Sequence, residues 1–215
     1  MSNASLTLGL PSTVLVGRAM PKNAFYKHLA TTAAIKEQFV RLIDRIEMLA
    51  VLKKASVHIP AGRHVAEIDV LGLRLHSTDD AACDVPSEAI ELIAKSVPNK
   101  LLFACVAGDY VKLLVRRDRL YETAWTLSAD TDVELCGATL DELWDSLSSQ
   151  VVFGSSDPVD FAGRVERKSH IEALQNELTS VEKKRKNEKQ ISKRNALFDR
   201  ARELKQELAR LEAGA

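Results

Sequence analysis

Cysteine, aromatic residues and net charge are all scarce in this chain. Its 215 residues include three cysteines, Cys83, Cys105 and Cys136. The number is odd, no two are close and no CxxC occurs, which excludes a disulfide scaffold and a cysteine zinc site. Thirty Lys and Arg balance thirty Asp and Glu. That balance excludes a uniformly basic nucleic-acid coat but leaves room for a local basic patch. No apolar run approaches the roughly 18 residues needed to span a bilayer, and the longer ones, such as Leu101 to Val106, have strand length. The first 20 residues lack a basic stretch leading into an apolar run, so no signal peptide is expected. A cytoplasmic protein with no membrane contact follows as the expectation. Chemistry-bearing motifs are also missing: there is no Walker A loop, GxGxxG, GxSxG or HExxH, and no cofactor is expected. The aromatic share is 5%, but the hydrophobic share of 46% is that of an ordinary globular protein, which excludes disorder.

The periodicity predicts an α/β or α+β domain over residues 1–155, with a mixed sheet and flanking helices. Thr13 to Val16 reads as a short strand and Asn23 to Leu29 as a short helix after Pro21. Ile35, Phe39, Leu42, Ile46 and Leu49 recur at three and four, which predicts one amphipathic helix capped by Thr31 or Thr32. Ser56 to Ile59 reads as a strand ending at Pro60-Ala61-Gly62. Val65 to His76 reads as a longer strand whose apolar phase slips between Val70 and Leu71, with Gly72 placed for a bulge. Asp84 to Val97 predicts a second amphipathic helix with Pro86 in its first turn. Lys100 to Val106 and Tyr110 to Arg116 predict a hairpin around Gly108, the first strand being apolar on both faces and so central. Tyr121 to Leu127 reads as another strand. Thr139-Leu-Asp-Glu142 is a capping box that opens a helix with Leu140, Leu143, Trp144 and Leu147 on one side.

Beyond the Gly154-to-Pro158 loop the composition changes. No proline follows Pro158, and no glycine lies between Gly163 and Gly214. Residues 161–215 read as a helical coiled-coil extension. Ile171, Leu174, Leu178 and Val181 form one seam; Leu197, Ala201, Leu204, Leu208 and Leu211 form another. The two are out of heptad phase, and Glu182 to Gln190 between them has no apolar residue. Asn187-Glu-Lys-Gln190 reads as a second capping box. A single helix of about 50 residues, roughly 75 Å long, and a hairpin turning near Lys186-Asn187 both fit, with the phase break favouring the hairpin. Either way the seams must be covered by each other, by the first domain or by a partner. They are accordingly the expected partner interface.

Charge is segregated along the chain. Ser128 to Asp160 holds eight acidic residues and no Lys or Arg. Lys183 to Arg194 holds Lys183, Lys184, Arg185, Lys186, Lys189, Lys193 and Arg194 against Glu188 alone. That run is the candidate contact for DNA or an acidic partner, set against a solvated helix face. No aromatic interleaves it, so base stacking by this segment is not expected. Lys112, Arg116, Arg117 and Arg119 form a lesser phosphate-contact candidate, set against surface charge.

No catalytic residue is assigned. The alternative is Glu67 and Asp69, which share a face at i and i+2 on a strand. Such a pair can hold Mg²⁺ for phosphodiester cleavage, although a restriction-type nuclease core wants Lys where Asp69 stands. His76 with Asp79 and Asp80 reads as a turn in preference to a metal site.

Taken in order, several segments resemble an uncharacterised bacterial family, "domain of unknown function forty-three ninety-one". They are Pro21-Lys22 with Phe25-Tyr26, Gln38 to Ile46, Val57 to Ile59, Ala66 to Leu75, Leu101 to Phe103 after Pro98, and Glu188 to Ile191 running into Leu204 and Leu208. The chain departs from the pattern at Glu47-Met48, where an aromatic is common, and at Asp69, where glutamine is common. The resemblance implies no established activity. It implies genomic company with DNA methyltransferases, helicases and restriction subunits, hence a part in phage defence. It also implies structural or partner roles for Lys22, Glu67 and Gln190. The functional expectation is a non-enzymatic accessory subunit that docks a helicase, methyltransferase or nuclease subunit, or a second copy of itself, through the C-terminal seams. A metal-dependent nuclease and a DNA-binding module are the alternatives.

Overall fold

The computed structural model describes residues 6–28, 31–76 and 83–213. The chain divides into two compact units, Met1–Val159 and Asp160–Ala215. The first is built on a seven-stranded mixed sheet with six strands in chain order: β1 (Leu15–Met20), β2 (Ile43–Lys53), β3 (Glu67–Leu75), β4 (Lys100–Ala107), β5 (Tyr110–Arg116) and β6 (Leu120–Glu122). β7 (Thr126–Leu127) also pairs with β5. Among the described strands only β3 and β4 run parallel. Parallel neighbours need a crossover, and α4 (Ser87–Ser96) lies on the one between them.

One face of the sheet carries α1 (Lys22–His28), α2 (Ala33–Arg41) and α4. Phe25, Phe39, Ile90 and Ile93 pack there against Ile46, Leu71, Leu73, Phe103 and Cys105. α5 (Leu140–Phe153) packs against β3, β5 and β6, with Leu140, Leu143, Trp144 and Leu147 buried. Alternate residues of a strand point to opposite faces, so β4 must be apolar throughout, and Leu101 to Ala107 are all buried. The predicted central strand and its hairpin are therefore present. The predicted cap on α5 is present too: the Thr139 hydroxyl accepts from Glu142 N–H at 3.3 Å.

The largest departure from the expected elements lies at residues 33–53. The helix stops at Arg41, and Ile43–Lys53 is a strand in the sheet interior. Its register against β3 shifts twice, with Asp44 and Leu49 as the extra residues. The bulge at Asp44 sets Ile43 and Ile46 three apart on the face of Leu75 and Leu73, while Leu52 pairs with Ile68 on the other face; burial on both faces thus leaves Ile43, Ile46, Leu49 and Leu52 at spacings of three that imitate a helix. The phase slip read in β3 has another cause, since apolar residues fill both of its faces. β3 itself is regular against β4 and buried on both faces, and Leu49 of β2 lies against Gly72, where an added Cβ would approach its side chain to 3.0 Å.

Ser56 to Ile59 is not a strand. Lys54–Val57 is a single helical turn, α3, ended by His58 in the left-handed region at φ 58°. Ser56 Oγ accepts from Lys53 N–H and donates to Val51 C=O, which bends the chain there. The strand expected over Tyr121–Leu127 is split into β6 and β7, both on β5.

The second unit is a helical hairpin of α6 (Phe161–Asn187) and α7 (Ile191–Ala213). The chain reverses at residues 188–190, where Glu188 accepts from Gln190 N–H at 2.8 Å. The two seams meet each other: Leu174, Val181, Ala201, Leu204 and Leu208 are buried together, flanked by Ile171, Leu178, Leu197 and Leu211. Reversal removes any need for a common heptad phase, because each seam has only to face the other.

Candidate functional site

Two places bear on function: the paired carboxylates at the start of β3 and the basic end of the hairpin. Glu67 and Asp69 share a face, as their spacing requires. The turn before β4 brings Asn99 between them, and Asn99 Nδ2 donates to Glu67 Oε1 at 2.9 Å and to Asp69 Oδ2 at 3.0 Å. Asp69 is only 4% exposed, and its Oδ1 has no hydrogen-bond donor. Burial raises the Asp69 carboxyl above the usual range; the Asn99 hydrogen bond opposes this, and the nearby Glu67 charge reinforces it. One amide thus bridges both carboxylates and ties β3 to the start of β4. Among the described residues no three His, Cys, Asp or Glu side chains group as metal ligands. Asp79 and Asp80 of the His76 reading lie outside the described residues; His76 donates its N–H to Leu42 C=O at 3.0 Å.

The basic residues of the β4–β5 region have partners within the first unit. Lys112 pairs with Glu122 at 3.0 Å and lies over Trp125. Arg116 pairs with Glu91 at 3.3 Å. Arg117 pairs with Asp145 at 2.8 Å and lies over Trp144, while Arg119 lies over Tyr121. Lys22 donates to Ile43 C=O at 2.6 Å and so ties α1 to the first residue of β2.

The hairpin end is different. Lys184, Arg185 and Lys186 occupy the last turn of α6, Lys189 the reversal and Lys193 and Arg194 the first turn of α7, so the fold gathers the whole basic run at one end. The two acids of the neighbourhood are engaged: Glu182 pairs with Lys205 at 2.8 Å, which lowers its pKa, and Glu188 holds Gln190 N–H. Phe198, 51% exposed, approaches the cluster from α7, with the Arg185 guanidinium 5.6 Å from its ring centre. The expected partner-interface seams, by contrast, face each other: Leu174, Val181, Leu204 and Leu208 are buried within the hairpin, while Ile171, Leu178, Leu197 and Leu211 are half-buried at its margins.

Two participants were not legible. Asn99 follows Pro98 in an ordinary turn, and only the parallel pairing of Asp69 with Leu101 brings it level with Glu67. Phe198 lies 13 residues from Arg185, and only chain reversal joins them.

The fold is thus a mixed-sheet α/β unit followed by a helical hairpin. The family model described as "Domain of unknown function (DUF4391)" matches residues 8–208, and the chain belongs to that family. No match was found among curated proteins or among solved structures. No helix among the described residues is long and apolar enough to cross a membrane.

Proposed function

We propose that this chain is a non-enzymatic accessory subunit that docks a partner through the outer surface of its C-terminal hairpin, within a bacterial restriction-modification or phage-defence assembly. The carrying observation is that α6 and α7 use their apolar seams on each other, which leaves an outward face of charge. Cross-arm ion pairs, Arg200–Glu177 at 2.8 Å and Lys205–Glu182 at 2.8 Å, lace the arms together, whereas the turn end is left strongly basic. A paired-helix arm of this kind suits recognition by complementary charge, which favours on-rate and partner choice. The Asn99 bridge supports a structural tie for Glu67 and Asp69 over a Mg²⁺ site, since it engages one oxygen of each carboxylate and no third such ligand joins them among the described residues.

Capture of the tagged full-length chain from its native host, with mass spectrometry of what is retained, tests this reading. Leu204→Asp, which buries a charge in the hairpin seam, should abolish capture of a methyltransferase, helicase or nuclease subunit. Capture unchanged by Leu204→Asp, with helical circular dichroism showing the arms disrupted, overturns it.

A further inference from the structure

Resting on the accessory reading, we infer that the turn end of the α6–α7 hairpin binds the phosphate backbone of nucleic acid without reading its sequence. Among the described residues, Lys183, Lys184, Lys186, Lys189, Lys193 and Arg194 make no ion pair and no side-chain hydrogen bond. Farther along the same hairpin the pattern reverses: Arg167, Arg200 and Lys205 each pair with an acid, and His170 lies 3.6 Å from Glu207. Among the described residues Arg202 and Arg210 on α7 also lack an ion pair, but six such cations within twelve residues make the turn end the densest concentration of unmatched charge on the hairpin.

The helix dipoles account for only part of it. Cations in the last turn of α6 complement its partial negative charge, so Lys184 to Lys186 have a structural reason to be there. Lys193 and Arg194 do not. They stand in the first turn of α7, which contains no acid, so their charge adds to the partial positive charge of unsatisfied N–H groups. That arrangement costs stability in the free protein and is relieved by an anion.

The shape suits a chain of phosphates. A groove of about 690 Å³ runs between the arms, lined by Lys183, Lys184, Asn187, Lys193 and Leu197 among others. Lysines on both arms can bracket a backbone while Leu197 meets sugar carbon. Five of the seven basic residues are lysines, point charges that position phosphate but lack the fork geometry that reads base edges. Phe198 extends the site on the other side of α7, held at its edge by Arg185. An anionic membrane would need a broad apolar face beside the cations. At this end the exposed large apolar residues are Ile191 and Phe198, too few for stable insertion.

The test is fluorescence anisotropy of the full chain with a labelled 30-base-pair duplex and a single strand of equal length, across a salt series. Binding should be independent of sequence, and with about five phosphates neutralised a doubling of salt should weaken it roughly twentyfold. The triple variant Lys183→Gln, Lys184→Gln, Lys193→Gln should lose more than about tenfold in affinity at low salt and flatten the salt slope by roughly three. Arg41→Gln in the first unit should change neither. Circular dichroism should show the same helix content in all. Failure of the wild type to bind either nucleic acid in 50 mM salt, or equal binding by the triple variant, overturns the inference. So does tighter binding to phosphatidylserine vesicles than to both nucleic acids. If the wild type captures a protein partner yet ignores nucleic acid, this inference falls and the accessory reading stands. Nucleic-acid binding with no partner capture leaves the inference standing and removes the accessory reading.

Discussion

The two units put similar residues to opposite uses. In the first, apolar side chains lie on both faces of β3 and β4, and charged side chains serve to close loops over that core. Asp141 at the start of α5 accepts from Arg63 N–H at 2.7 Å and His64 N–H at 3.1 Å, and Gly62 sits so close to Asp141 that an added Cβ would collide with it. In the hairpin, the apolar residues make one seam, and charge outnumbers them on every other side. Part of that charge is paired across the arms, and the densest run of unpaired cations lies at the turn. A thick core fixes charged groups as structural partners, whereas a thin seam leaves them free for something outside.

The sharpest way to break this comparison is to damage each core in turn. Phe103→Ala, at a fully buried position in the central strand, should cost about 3–5 kcal/mol. Leu204→Ala, equally buried but in a single seam, should cost about 2–3 kcal/mol, toward the lower end for a core leucine, since the arms can close on the gap. Urea unfolding followed by Trp125 and Trp144 fluorescence reads the first unit, and helical circular dichroism reads the hairpin strongly. A larger loss for Leu204→Ala than for Phe103→Ala would reverse the ranking of the two cores.

Next in size is Asp141→Ala, which leaves the N–H groups of the 63–65 loop without their acceptor and should cost about 1–2 kcal/mol at neutral pH. Although burial pushes its carboxyl up, the N–H bonds from His64, Arg63 and Val65 prevail and hold its pKa below the usual value. Its contribution is therefore present above the unfolded pKa and is lost as pH falls through the folded one. The variant's deficit should fade on acidification, and a deficit independent of pH would place the effect elsewhere.

Asp69→Asn carries the opposite sign. Burial raises this carboxyl, so its charge weighs against the fold above the raised pKa, and stability increases as pH falls toward the ordinary Asp range. The variant should be somewhat more stable than the wild type at neutral pH, with the gain vanishing in acid. Loss of stability at neutral pH would assign the charge itself a stabilising role. Paired with Glu67→Ala, the same variant bears on the nuclease alternative: Mg²⁺-dependent cleavage that both abolish would establish it.

The smallest effect is expected from Arg200→Gln, because both partners of the Arg200–Glu177 pair are substantially exposed. The thermal midpoint should drop slightly at low salt and match the wild type at high salt. A drop that survives high salt would mean the pair is shielded from solvent.

How far each region could be read in advance follows from how local its causes are. The β4–β5 hairpin and the Thr139 cap each announce themselves within a dozen residues. The seam phases and the apolar gap from Glu182 to Gln190 already favour a hairpin. Residues 43–53 mislead because a bulge and burial on both faces of the strand together leave apolar residues at spacings of three, and both exist only relative to neighbouring elements. Ser56 misleads similarly, since its hydroxyl bends the chain through Lys53 and Val51. The basic run was legible as composition, but its neighbour Phe198 and its groove were not.

Composition and periodicity by themselves determined an α/β or α+β unit followed by a long helical extension, a carboxylate pair on one strand face and a basic run of seven, because those features depend on spacing along the chain. Tertiary structure alone decided that Asn99 joins the carboxylates, that the seams cover each other, and that the cations of two helices form one cluster. Those outcomes depend on which distant segments meet, and contact between them is set by strand register and chain reversal, quantities that no local window contains.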